Sequence, residues 1–145
     1  MTHELLDAAL LYVTKGYKVF PCIPKGKSPL TKHGYKDASS DRGTIKQWWT
    51  EWPDANIGIP TGAVNGFIVI DIDGDVPEGM AFLNTLSHTV KTKRGFHYYM
   101  AYPVEGKVPS RGKIGGYEID VQSDGKYIIV PPSVHKSGVK YEFLS

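Results

Sequence analysis

The segment Ile68-Val69-Ile70-Asp71-Ile72-Asp73-Gly74 ends an apolar run on two carboxylates set two residues apart. On a strand, residues i and i+2 share a face, so Asp71 and Asp73 project side by side. Hard oxygen ligands at the rim of a sheet suit Mg²⁺ or Mn²⁺. Two such ions held together serve in-line phosphoryl transfer, because they stabilise the attacking and leaving oxygens at once. A site of that kind takes a third carboxylate. Asp120 is the best placed, alternating with apolar Ile119 and Val121 in Tyr117-Glu118-Ile119-Asp120-Val121-Gln122, and Glu118 on the same face is the second choice. An Asp-Gly step is also an ordinary turn signal, so the pair alone does not establish a metal site.

Two further stretches carry candidate chemistry. Lys93-Arg94-Gly95-Phe96-His97-Tyr98-Tyr99 places His97 on a strand directly after a basic turn. Gly95 permits close approach of backbone to a ligand, and His97 can donate a hydrogen bond to a phosphate. A lone histidine serves equally well as a structural hydrogen bonder. Tyr127-Ile128-Ile129-Val130-Pro131-Pro132-Ser133-Val134-His135 is an apolar strand whose prolines fix the chain, presenting Ser133 and His135 together.

The elements that must position these residues follow from periodicity. Leu5, Ala8, Ala9, Leu11 and Tyr12 recur at helical spacing over 4–15, with Gly16 as the stop. Residues 17–23 read as a strand ending at Pro24, and 25–40 as a basic loop. Asp41 caps a helix over 44–52, closed by Pro53, on which Trp48 and Trp52 sit one turn apart as core residues. Strands are expected at 56–60 and 67–72, and a short helix at 78–86. Further strands follow at 89–93, 96–102, 117–122, 127–130 and 139–143, most bounded by Gly or Pro. Helices first and strands later predict an α+β domain with a mixed or antiparallel sheet.

Composition sets the frame. The chain has 145 residues and a formal net charge of +2, enough for one domain over 1–145. That near-neutrality hides segregation. Eight Lys/Arg face two acids between Lys15 and Lys46, no Lys or Arg and six acids lie between Gln47 and Leu86, and six basic residues face Glu105 alone between Lys91 and Lys113. Lysine-rich loops that merely solubilise a fold give the same counts. An enzyme handling polyphosphates or nucleic acid through bound metal gives them too. The single cysteine, Cys22, excludes an internal disulfide and a Cys-rich zinc site. No apolar run is long enough to span a membrane, and no secretory signal is visible, so an intracellular, cytoplasmic protein is expected.

Taken in order, these pieces resemble the bifunctional DNA primase/polymerase N-terminal (Prim-Pol) domain of the archaeo-eukaryotic primase superfamily. The resemblance runs through Trp48-Trp49-x-x-Trp52-Pro53, Asn56-Ile57-Gly58-Ile59-Pro60-Thr61-Gly62, the Asp71/Asp73 strand, Gly95-Phe96-His97-Tyr98-Tyr99, and Ile119 through His135. It implies a core sheet of RNA-recognition-motif type plus a small N-terminal α/β unit. It implies template-directed nucleotidyl transfer on single-stranded DNA with a primer, dNTP or NTP as substrate, and release of pyrophosphate. Asp71, Asp73 and Asp120 would hold two Mg²⁺ or Mn²⁺ ions, and no zinc is expected. His97 with Gly95 would meet the incoming triphosphate, and Ser133, His135 and Lys27 would make further nucleotide contacts. The chain departs from the family at Gly95, where serine is usual, and at Gln122, where arginine is frequent. Family members often continue into a helicase, so a helicase partner or further domain is expected, in a prokaryotic, plasmid or phage replicon.

Rival classes remain distinguishable. Arg94-Gly95-Phe96-His97-Tyr98-Tyr99 partly matches the base-stacking signature of RNA-recognition motifs, which would make a metal-independent single-strand binder. Such a binder gives no reason for Asp71 and Asp73, since carboxylates repel phosphates unless metal intervenes. A metal-dependent nuclease would use the same acids, whereas a replication-initiator endonuclease needs a second histidine where Tyr99 stands. A non-catalytic relative would have lost one of the three acids, and all are present.

Overall fold

The computed structural model describes residues 3–85, 88–103, 105–114 and 118–144. Its elements in chain order are α1 (Glu4–Thr14), β1 (Phe20–Cys22), α2 (Arg42–Glu51), β2 (Asn56–Pro60), β3 (Phe67–Asp73), β4 (Thr89–Lys91), β5 (Gly95–Ala101), β6 (Ile119–Gln122), β7 (Tyr127–Val130) and β8 (Glu142–Phe143). They make an α+β fold of two helices and two sheets, ordered β1-β2-β7 and β6-β3-β5-β4-β8, and every pairing between these strands is antiparallel.

The helices start and stop where local chemistry dictates. Asp41 caps α2, its carboxylate accepting the Thr44 N–H at 2.9 Å and the Thr44 hydroxyl at 2.8 Å. α1 ends before Gly16, which sits at φ 98° and donates its N–H to the Val13 carbonyl. Leu11, expected in the buried stripe, is instead 55 % exposed. It lies two residues, about 200°, round the helix from the fully buried Ala9. On α2 the buried tryptophan is Trp49, whose indole N–H donates to the Ala55 carbonyl at 3.0 Å. Trp48 and Trp52 flank it, half-buried. Truncating an aromatic anchored this way costs about 3–5 kcal/mol.

β2 is the hinge of the smaller sheet. One face sends Ile57 and Ile59, with Ile128 and Val130 of β7, against Ala9, Ile45 and Trp49 of the helices. On the other side Phe20, Cys22 and Ile129 meet Val90 of the larger sheet and Tyr141, which immediately precedes β8. Gly58 leaves room for the Phe20 ring, which a Cβ there would approach to 2.7 Å. The smaller unit is therefore not purely N-terminal. Its third strand, β7, returns from the second half of the chain, because the apolar run Tyr127–Val130 can bury both faces only by pairing with β2.

Several elements are shorter than their patterns suggest. The expected helix over 78–86 is a 3₁₀ stretch, Glu78–Thr85, with Leu86 outside the described residues. Gly79 and the weak helix formers at its end leave no α-turn to propagate. The expected strand 17–23 contracts to β1, although Val19 still bridges Ser39. The last strand contracts to Glu142–Phe143, since Val139 lies in the turn after Gly138. Tyr117 falls outside the described residues.

Candidate active site

β3 and its two neighbours bring the acids together by register. Asp71 stands opposite Asp120 on β6 and opposite His97 on β5. Directly opposed residues of an antiparallel ladder share a face, so the three form a row across three strands. Asp73 stands opposite Gly95. The alternate residues Ile70, Ile72, Phe96, Tyr98 and Ile119 turn to the other face and pack with Met80 and Leu83. The Ile-Asp-Ile-Asp alternation thus seats the strand in the core while keeping its carboxylates out of it.

The side chains then divide. His97 Nε2 lies 3.4 Å from Asp71 Oδ1, with the histidine side chain 8 % exposed. Its Nδ1 is buried and has no hydrogen-bond partner among the described residues. The Tyr141 ring lies over the imidazole, 6.1 Å between centroids and tilted by 31°. Partial burial, followed by the negative charge of Asp71, pushes the Asp73 carboxyl above its ordinary range, against the pull of Arg94, Lys27 and His97. Asp120 shares the row but not the cleft. Its Oδ1 accepts the Lys113 N–H at 3.1 Å, and it lines a separate depression with Arg111 and Gln122.

Asp71, Asp73 and His97 open into a cleft of about 460 Å³ between the two sheets. Three loops complete its walls. Lys25, Gly26 and Lys27 come from the loop after β1, Thr92, Lys93 and Arg94 from the β4–β5 turn, and Val134, His135 and Lys136 from the loop after β7. Two carboxylates thus face five Lys/Arg side chains. Lys25 holds φ 55°, a left-handed conformation uncommon outside glycine, in the tight turn closed by Gly26 N–H to Ile23 O. Asn56 locks two of the walls together. Its amide donates to the Gly26 carbonyl at 3.0 Å and the Val134 carbonyl at 2.8 Å, and its Oδ1 accepts the Val134 N–H at 2.9 Å.

The remaining expected site residues separate into cleft and frame. Lys27 and His135 line the cleft. His135 Nδ1 accepts the Ser137 N–H at 3.1 Å, the arrangement of a neutral ring that carries its proton on Nε2. Its pKa is lowered by partial burial first and then by Lys27, Lys136 and Lys93. Ser133 is fully buried instead. Its hydroxyl accepts the Ile57 N–H at 2.8 Å and its carbonyl accepts the Tyr141 N–H at 3.0 Å. Gly95 closes the β4–β5 turn with Thr92, and a Cβ on it would run into the Ile72 carbonyl. Sequence reasoning assigned no role to Tyr141, Asn56, Lys25 or Lys136. Lys25 carried a signal in the charge segregation, whereas Lys136 lies outside the basic segments and Tyr141 carried none.

A family model for the bifunctional DNA primase/polymerase N-terminal domain, Prim-Pol, matches residues 9–145. The chain belongs to the Prim-Pol family. No curated protein sequence matches it. Prim-Pol membership carries nucleotidyl transfer of the primase/polymerase type as the class of activity. Among the described residues, no helix is long and apolar enough to cross a membrane.

The divalent metal implied for a Prim-Pol domain can be tested against the donors present. Asp71 and Asp73 are hard oxygen donors on one face, and their mutual repulsion is what a bound cation relieves. That pair fits. No group of three or more His, Cys, Asp or Glu side chains is gathered to hold a metal among the described residues, because the Asp120 carboxylate is turned to the Lys113 N–H.

Proposed function

We propose that this Prim-Pol domain catalyses template-directed nucleotidyl transfer on single-stranded DNA, adding a nucleotide to a primer hydroxyl and releasing pyrophosphate. The observation that carries the reading is the cleft in which a carboxylate pair faces five Lys/Arg side chains and two histidines. A metal-independent binder has no use for Asp71 and Asp73 there, since they would repel the phosphates that the lysines attract.

In this reading Lys93 and Arg94 on one wall and Lys25, Lys27 and Lys136 on the other hold the triphosphate between them. His135 donates its Nε2 proton to a phosphate oxygen, and His97 is held against Asp71 beneath Tyr141. Asp71 and Asp73 would hold Mg²⁺ or Mn²⁺, and Asp120 would join them by giving up the Lys113 N–H. The bound ions would supply charge neutralisation at the α-phosphate and a more acidic primer hydroxyl. The protein's own part is positioning and electrostatic complementarity, with no covalent intermediate. The nucleophile is the primer 3′-oxygen, the bond broken is that between the α-phosphorus and the bridging oxygen, and pyrophosphate departs along the basic walls.

The test is extension of a primed single-stranded template by dNTPs or NTPs with Mg²⁺ or Mn²⁺. Wild type extends, and Asp71→Ala, Asp73→Ala and Asp120→Ala each lose at least a hundredfold in rate. His97→Ala weakens nucleotide affinity more than DNA affinity. A wild-type protein that cuts the template and never extends the primer is a nuclease, and the proposal fails.

A further inference from the structure

The loop between β1 and α2 borders a second basic depression. It encloses about 220 Å³, and its wall includes Lys18, Tyr35, Lys36, Asp124 and Gly125. Lys27 and Tyr127 join it to the cleft. The Tyr127 hydroxyl donates to the Lys27 carbonyl at 2.8 Å, and the Tyr127 ring lies 6.3 Å from that of Tyr35, tilted by 32°. β2 measures the gap. Asn56 at one end clamps the cleft walls, and Pro60 at the other lines the depression, so the strand between them spans about 13 Å.

Along this stretch Lys18, Lys27 and Lys36 outnumber the acids Asp37 and Asp124, and both acids are already engaged by hydrogen bonds within the chain. Asp124 is turned to internal donors, accepting the Ala63 N–H at 2.9 Å and the Tyr102 hydroxyl at 2.7 Å. Asp37 likewise accepts the His33 N–H at 2.8 Å. Lys18 and Lys36 make no ion pair among the described residues. The backbone beneath Lys18 is fixed, its N–H donating to Asn65 Oδ1 at 2.9 Å while the Asn65 amide donates to the Lys18 and Pro60 carbonyls. Lysines spaced along a groove with aromatic rings between them match a single strand, whose phosphates take the charges and whose unpaired bases take the ring faces.

We infer that Lys27, Tyr127, Tyr35, Lys36 and Lys18 mark the path by which single-stranded DNA leaves the cleft, with Tyr35 as a base-stacking platform. Naming that strand a template rests on the proposed function, whereas its binding needs no catalysis. The experiment is therefore anisotropy of a short labelled single-stranded oligodeoxynucleotide in EDTA over a salt series, beside primer extension with metal. Relative to wild type, the Lys18→Ala/Lys36→Ala double variant lowers the log–log salt slope by about 1.4, two phosphate contacts' worth. Tyr35→Ala binds on the order of tenfold more weakly and Tyr35→Phe binds as wild type, because the ring is what stacks. Nucleotide affinity measured with Mn²⁺ is unchanged in the double variant, and thermal melts show that each variant is folded. Wild-type oligonucleotide affinity and slope in the double variant overturn the path, and retained extension then leaves the proposed function standing. Loss of oligonucleotide binding in the double variant, with no extension by wild type, supports the path and overturns the proposed function.

Discussion

The absence of a Cβ at Gly95 decides how near β5 comes to the strand that bears the carboxylates. Gly95 is buried opposite Asp73, its N–H donates to the Thr92 hydroxyl at 3.0 Å, and the Gly74 N–H reaches the Arg94 carbonyl at 2.6 Å. A side chain there has no room, because its first carbon would run into the Ile72 carbonyl, which is backbone and cannot rotate away. From the sequence, Gly95 in place of the family's serine reads as one lost hydroxyl contact. Sterically it is a requirement of this turn. Gly95→Ala and Gly95→Ser are therefore both expected to destabilise the fold by about 1–3 kcal/mol, through the strain of overpacking. Both should also lose nucleotide affinity, since Arg94 and Asp73 flank the displaced backbone. Thermal unfolding of the serine variant is the sharper check, because a wild-type melting temperature would show that the turn tolerates a Cβ.

At the scale of elements, Asn56 on β2 coordinates two loops that meet nowhere in the sequence. It is 1 % exposed, and its three hydrogen bonds pin the Lys25–Lys27 loop and the Ser133–Lys136 loop to one strand end. Asn56→Ala leaves the partly buried Gly26 and Val134 groups without these partners, at a cost of about 1–2 kcal/mol. The same change frees both basic walls, so the Michaelis constant for nucleotide should rise more than the maximal rate falls. Equal effects on the two would mean that Asn56 serves stability alone. β2 and β7 were legible in the sequence to their end residues, since each is a short β-branched run closed by Pro or a Gly-containing turn. The Asp71/Asp73 strand was legible for the same reason. Ser133 was not, because its closeness to His135 suggested a shared site, whereas its hydroxyl is turned inward to the Ile57 N–H of β2, a pairing between distant segments that no local pattern reveals. Tyr141 was hidden more thoroughly, since its place over His97 depends on β8 pairing with β4 rather than on any local pattern.

At the scale of the whole molecule, the charge segregation becomes spatial, with basic loops surrounding the acidic strand end at the seam between two sheets. What holds that seam is largely apolar, and several weakly acidic groups are buried in or beside it. Burial alone pushes the Cys22 thiol from 9.0 up to about 12. The Tyr99 phenol is raised well above its ordinary 10.0, first by burial and then by Tyr12 and Tyr17. Tyr12, whose hydroxyl donates to the Pro131 carbonyl at 2.6 Å, is raised chiefly by burial. In each case the folded group holds its proton to a higher pH than the unfolded one. Above about pH 9 the unfolded chain therefore releases protons that the folded chain retains, and stability falls as pH rises. Below that pH these groups are neutral in both states and contribute no slope. The expected outcome is a melting temperature insensitive to these residues up to pH 8.5, declining progressively between pH 9 and 11. Cys22→Ala should lessen the decline by removing one of the groups. The same burial predicts that the native thiol resists alkylation at pH 8, reacting only under unfolding conditions. A flat melting profile to pH 11, or rapid labelling of native Cys22, would show that the seam between the sheets opens to water far more readily than its packing implies.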